Sequence, residues 1–427
     1  MGVVVRILKP KVSLHGLYFG AILYLPIFAN LLGGSGRSQF FLNGVFLVLG
    51  IAVLTSLSHR RHKIALPKYS IVLLALAICV VFLSLITASS FGRIASDAGR
   101  LILAAFFVSV GYGLGCSGAI SDRQLSRNLI VYGVLGTAFS LLVYAPPLWS
   151  IVDIYKGRQS DDLLQFHFMR ASGFSGYPTD FGSILVLSIL CVPLALQKGY
   201  ISSKFALFSI AVVLAGLALS AARGSMLQFG GAAVIVYFSL MFRRKISRKL
   251  LRLQVLALVG ASIAVFLLWT PISEMYQTRA VGRLNIFDYV MIDISEVDAS
   301  VLHRFNELEL AADVVLGALP VPTGESRQQP YGMNVIEGFH THYLVRYGIP
   351  GVLIALTLII ATLKAVQVRT PGVVATALFI WFLSFFFFLA PFSDVWSRLR
   401  GLALYSSLIG MVLGIEKRRG FLSTPTS

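Results

Sequence analysis

The stretch GFHTHYLVRYGIPGVLIALTLIIATL, residues 338–363, opens on two histidines and an arginine and then stays apolar up to Lys364. From His342 to Leu363 its one charged residue is Arg346. A helix crossing the hydrocarbon of a bilayer needs about 20 mostly apolar residues, and this run has that length. The reading is a membrane-spanning helix with polar chemistry at its entrance. Outward in both directions the same pattern returns, with runs broken by charge, proline or glycine clusters near 14–32, 39–57, 69–87, 95–116, 128–145, 181–197, 205–220, 226–241, 250–270, 373–390 and 399–415. With 342–363 these make 12 expected spans.

The composition agrees. Of 427 residues, 57% are hydrophobic and 13% charged, where soluble domains carry about 25% charged. A mean hydropathy of +0.82 suits a chain whose main solvent is lipid. Disordered, collagen-like and coiled-coil classes are excluded. Cys79, Cys116 and Cys191 fall in or at the end of apolar runs, and an odd number so placed offers neither a disulfide framework nor paired metal ligands. The first run is longer than a signal-peptide core and no small-x-small site follows it, so it is expected to stay as a span. Met1-Gly2 lacks the serine or threonine of a myristoylation site.

The net charge of +18 would suggest nucleic acid if it were spread over the chain. It is not. With the N-terminus inside, seven inner connections hold 22 of the 36 basic residues but only two of the 18 acids, Asp122 and Glu416. The densest group is Arg243, Arg244, Lys245, Arg248, Lys249 and Arg252. Basic residues in short connections resist translocation, so the excess charge is an orientation signal and both termini are expected in the cytoplasm. Anionic membrane lipids are natural partners of such a face; nucleic acid is not implied.

Most connections are short, and two outer ones are long: 146–180 and 271–341. The second carries ten of the 18 acids. Long loops of this kind are usually functional. Within it, SVLHRFNELELAADVVLG (300–317) spaces Val301, Phe305, Leu308, Ala312 and Val315 along one helical face before Gly317 and Pro320, which predicts an amphipathic helix.

An arginine in or beside an apolar run is costly and so marks a candidate site. Arg223 lies in LSAARGS (219–225), a hairpin so tight that its guanidinium is expected near the outer membrane surface, either in a packed site or snorkelling to lipid phosphate. Arg170 opens RASGFSGYPTD (170–180), where glycine and proline permit close backbone approach to a ligand. Arg304 sits three residues before Glu307 on the loop helix, so an i,i+3 ion pair is the plain alternative to a binding role. In the opening stretch His342 and Arg346 share a helical face, and His340 stands at the loop–helix junction, where helix N–H groups favour anions. Histidine serves as a general base near neutral pH; as plain packing residues both histidines need only a partner. Tyr343 is either a sugar-stacking ring or an interfacial anchor.

Zinc is a poor reading of His340 and His342, because no cysteine and no H-E-x-x-H or H-x-x-E-H pattern supplies further ligands. Asp288, Asp293, Glu296 and Asp298 lack EF-hand spacing and read as a solvated face. There is no P-loop, no dinucleotide fingerprint and no G-x-S-x-G, so nothing points to ATP, a dinucleotide or a serine hydrolase.

Taken together, these segments resemble the O-antigen ligase and polymerase superfamily of bacterial inner-membrane glycosyltransferases. That family carries an arginine in a tight outer hairpin of the type Ser-x-x-Arg-Gly, matched by Ser220 to Gly224. It also carries a His-Asn-x-Tyr-Leu…Gly-x-x-Gly signature, matched by His340-Thr341-His342-Tyr343-Leu344 with Gly348 and Gly351. Thr341 replaces the family's asparagine, and Thr179 does so again in the stretch from Arg170 to Gly182. The likeness covers residues 170–351. It implies an all-α membrane protein, GT-C-like, of about 12 transmembrane helices with both termini cytoplasmic, a single polytopic membrane domain over 1–427. Its periplasmic loops would be 146–180 and 271–341, the latter with a helix near 300–317.

The activity implied is inverting, metal-independent glycosyl transfer from an undecaprenyl-pyrophosphate-linked glycan donor to a glycan or lipid acceptor at the periplasmic face, with no cofactor and with a chain-length regulator as a further partner. His340 would take the acceptor proton and Arg223 and Arg304 would hold the leaving pyrophosphate, while Arg170, His342, Tyr343 and Arg346 bind substrate. Three readings follow: a polymerase of lipid-linked repeat units of O-antigen or exopolysaccharide, favoured by the presence of more than one arginine site; a ligase passing the finished glycan to lipid A core or another acceptor; and a transporter or flippase of lipid-linked sugar. No duplicated half supports the last.

Overall fold

The computed structural model describes residues 14–27, 36–59, 66–86, 91–143, 173–175, 178–220, 222–243, 339–368, 371–390 and 399–423. Among these, every regular element is helical: α1 (Leu14–Tyr24), continued by a 3₁₀ turn at Leu25–Ile27; α2 (Gly36–His59); α3 (Lys68–Ile86); α4 (Phe91–Ser117); α5 (Asp122–Val143); α6 (Pro178–Gln197); α7 (Ser203–Ser220); α8 (Arg223–Arg243); α9 (Phe339–Val366); α10 (Val373–Ser384), continued by a π-helical turn at Phe385–Leu389; and α11 (Leu399–Ser423). Each coincides with one of the expected spans. The remaining one, 250–270, lies outside the described residues, as does the loop helix expected at 300–317.

Six of these helices contain stretches long and apolar enough to cross a membrane: Leu42–His59, Lys68–Ile86, Ala95–Ser117, Thr179–Gln197, Ser203–Ser220 and His342–Val366. Leu14–Tyr24, Gly224–Tyr237 and Val373–Leu389 are apolar but shorter. The protein is thus a helical, multi-pass membrane protein. Side chains such as Ile78, Phe82, Leu85, Leu353 and Ile360 are exposed, which suits a bilayer, where an apolar side chain gains nothing by turning inward.

Without a hydrophobic drive between helices, close packing has to hold them together. The tightest pair is α4 with α11, and glycine permits it. Gly111 and Gly115 on α4 face Gly410 and Gly414 on α11. A Cβ on Gly410 would collide with the Val108 carbonyl oxygen, and one on Gly111 with that of Ser407. Buried polar bonds add to this elsewhere. Trp381 Nε1–H donates to Ser183 O at 2.8 Å, Ser183 Oγ–H to Gln228 Oε1 at 2.8 Å, and Tyr69 and Thr362 join their hydroxyls at 2.7 Å. The indole of Trp381 stacks on Tyr405 with ring centroids 4.2 Å apart. Cys79, Cys116 and Cys191 are free thiols.

The helix ends sort into two groups. At one end Asp122, the first residue of α5, accepts the Val373 and Val374 N–H groups at 2.9 and 3.2 Å. It thereby caps α10, whose own N-cap is Gly372 and has no side chain to offer. Tyr200, between α6 and α7, donates to the same carboxylate at 3.4 Å, and Arg419 of α11 lies 3.8 Å from it. Burial and that carboxylate push the Tyr200 phenol up. At the opposite end lie the last turn of α3, the first turns of α4, α6, α8 and α9, and the π-turn of α10.

Candidate functional site

The second group of ends contains the entrance of α9, and α9 is not a plain helix. Gly348 adopts φ 60°, ψ −142°, a conformation nearly confined to glycine, and interrupts it between two helical segments. Pro350 removes the N–H that would have bonded the Arg346 carbonyl. At Gly351 a Cβ would collide with the Tyr343 carbonyl oxygen. The Gly-x-x-Gly of the sequence motif is therefore the kink itself. It sets the short segment 339–347 apart from the long apolar shaft below it.

The first residues of that segment dock on the π-turn. Phe339 N–H donates to Ala390 O at 2.8 Å, and its ring packs among Tyr343, Phe385 and Phe386. His340 Nε2 lies 2.9 Å from Phe386 O. A carbonyl only accepts, so Nε2 carries the proton and donates. In a neutral ring Nδ1 is then the basic nitrogen. The carbonyls of a π-turn depart from the ordinary helical register, a feature frequent at functional sites. Arg223 begins α8 beside the same turn: a Cβ on Gly224 would be 2.5 Å from Leu389 Cδ1, and Ser225 Oγ–H donates to Thr179 O at 3.1 Å. The backbone thus brings the start of α8, the N-terminus of α6 and His340 around one turn of α10.

His342 and Arg346 lie about 200° and about 240° round α9 from His340 and face α4 instead. Arg346 Nη1 donates to Asp97 Oδ2, Tyr347 O–H donates to that same oxygen at 2.8 Å, and His342 Nε2 stands 3.8 Å from Oδ1. Ser84 at the end of α3 meets the Tyr347 hydroxyl at 3.3 Å. Asp97 is only 8% exposed, so its charge is matched by partners rather than by water. The segment dense in chemistry therefore divides: one side of α9 presents a histidine to α10, the other an ion-pair network to α4.

Tyr343 is buried against Phe339, His342 and Tyr347, so its ring belongs to the packing of α9 and offers no open platform for a sugar. Arg170 and Arg304 lie outside the described residues. Near the end of the first long loop, Gly173 (φ 48°) does allow a close approach, but what approaches is the Phe181 ring of this same chain.

The residue that sequence reasoning passed over is Asp97. It is the one acid in the run 95–116, and a carboxylate in an apolar span carries the same signal as an arginine. Tyr347 and the π-turn had no signal of their own.

Comparison with protein-family models finds no match, and comparison with curated protein sequences finds none either. The likeness to the O-antigen ligase and polymerase superfamily rests on the residues quoted above.

Proposed function

We propose that this chain is a glycosyltransferase that polymerises undecaprenyl-pyrophosphate-linked repeat units into O-antigen or exopolysaccharide. It would act at the periplasmic face of a bacterial inner membrane, on a GT-C-like fold of twelve spans with both termini in the cytoplasm. The observation that carries the reading is the His340 bond to Phe386 O, which holds the imidazole by Nε2 and leaves Nδ1 as the base, next to the start of α8 where Arg223 stands. The segregation of helix ends supports the topology, since the end holding Asp122 also holds Arg419 and adjoins Arg123 and Lys198.

In this mechanism the acceptor hydroxyl attacks the anomeric carbon opposite the pyrophosphate. The new C–O bond forms as the bond to phosphate breaks, with inversion, and Nδ1 of His340 takes the hydroxyl proton. Such a base contributes about 10²–10⁴-fold. Arg223 and Arg304 balance the charge on the departing pyrophosphate, Arg170 and Arg346 help position it, and His342 contributes to binding the substrate. No metal or cofactor is required, because the donor arrives activated. A chain-length regulator is the expected protein partner.

The test supplies the purified protein in detergent with a defined undecaprenyl-pyrophosphate-linked repeat unit and reads products by mass spectrometry beside His340→Ala. A ladder of longer lipid-linked chains, lost in the variant, is expected. Unchanged substrate removes the polymerase. Transfer only after a lipid A core or other acceptor is added marks a ligase, and movement of intact lipid-linked sugar across liposomes marks a transporter.

A further inference from the structure

The Arg346 guanidinium has two unlike sides. Nη1 donates to Asp97 Oδ2, an oxygen that also takes the Tyr347 hydroxyl. Nε is buried and makes no hydrogen bond. A buried charged donor without an acceptor is costly enough to need an explanation. The side chain is 21% exposed, so a group from outside the protein has access to it. His342 lies one turn earlier on the same face, its Nε2 turned to the other Asp97 oxygen. A guanidinium prefers oxyanions that take two parallel donors, and phosphate oxygens suit it best.

We infer that Arg346 is the centre of an anion site for a phosphate or pyrophosphate group, and that Asp97 is its internal counter-anion. Asp97 is a positioning residue. It holds Arg346 by Nη1 and leaves the exposed part of the side chain to the ligand, and its carboxylate and the ligand phosphate draw on the same positive charge. This rests on the reading of this end of the molecule as a pyrophosphate site, and adds to it that the free protein keeps an anion of its own there.

The sign of one substitution follows. A carboxylate that merely pins α9 to α4 would, when neutralised, loosen the site and weaken ligand binding. A counter-anion that shares its arginine with the ligand would, when neutralised without change of shape, strengthen it. Tyr347 works in the other direction: without its O–H, Asp97 leans more heavily on Arg346.

The experiment titrates the full-length protein in detergent, by calorimetry, with inorganic pyrophosphate and separately with farnesyl pyrophosphate. Asp97→Asn is expected to bind pyrophosphate about tenfold more tightly than wild type, within the ordinary range of a coupling between charged groups. Tyr347→Phe is expected to bind it about threefold more weakly, a fraction of the worth of one hydrogen bond to a carboxylate. In Asp97→Asn/Arg346→Gln the gain should vanish. Equal or weaker affinity in a folded Asp97→Asn overturns the inference. If that variant does not fold, Tyr347→Phe decides, and unchanged affinity there overturns it. A preference for the farnesyl ligand assigns the site to a lipid headgroup; equal binding of both assigns it to free phosphate groups. Binding is read without transfer, so the two readings fail separately. The expected shifts with no glycosyl transfer from any donor overturn the transferase and leave the anion site, while transfer with unshifted binding does the reverse.

Discussion

His340 Nε2 and the carbonyl oxygen of Phe386 lie 2.9 Å apart, joining the first turn of α9 to the π-turn that ends α10. A carbonyl cannot donate, so this one contact assigns the tautomer and leaves Nδ1 as the basic atom.

A glutamine at this position tests that assignment more sharply than alanine. Its amide N–H₂ reaches about as far as Nε2 and keeps a donor for Phe386 O, but nothing basic stands where Nδ1 was. His340→Gln is expected to unfold within a few degrees of wild type and to lose about 10²–10⁴-fold in transfer rate. Near-normal turnover in the well-folded variant would return His340 to a packing role.

Arg223 tests the leaving-group assignment. Lysine keeps the charge and loses the planar fork, so Arg223→Lys gives up at least one charge-assisted hydrogen bond, worth about 1.5–3 kcal/mol. Transfer efficiency is expected to fall by about tenfold or more, measured as kcat/KM with the lipid-linked donor. Wild-type efficiency would leave Arg223 as a side chain reaching for lipid phosphate.

At the opposite end, Asp122 caps α10 from another helix, because Gly372 has no side chain with which to do so. Asp122→Ala strands both N–H groups and removes one of the contacts of Arg419 and of Tyr200. Losing a cap costs about 1–2 kcal/mol. The thermal midpoint in detergent should drop by about 2–4 °C for each kcal/mol, with transfer at low temperature preserved, since His340 and Arg223 lie at the other end.

The α4–α11 contact gives a purely steric prediction. On Gly410 a methyl group meets the Val108 backbone rather than a side chain that can turn aside. Gly410→Ala is expected to destabilise by about 1–3 kcal/mol, and Gly420→Ala, with open space around it, by almost nothing. Equal midpoints for the two variants in detergent would refute the packing account.

The helices are legible in the sequence because each is a local matter. About twenty apolar residues prefer lipid whatever lies beside them, and charge, proline or glycine ends the run, so α1 to α11 fall where the apolar stretches do. The candidate site is legible in part. His340, His342, Arg346 and Arg223 stand out because polar groups are expensive in apolar runs, whereas Arg170 and Arg304 fall outside the described residues.

Residue types and spacing also determined, without tertiary information, that His342 and Arg346 share a face that His340 does not. Only the tertiary structure decided what those faces meet: Asp97, 249 residues away, for Arg346, and the Phe386 carbonyl for His340. Spacing along one helix sets the angle between its side chains. Which helix packs against which depends on long-range fit, here on glycines that let α4 and α11 touch and on a kink at Gly348 that turns the entrance of α9.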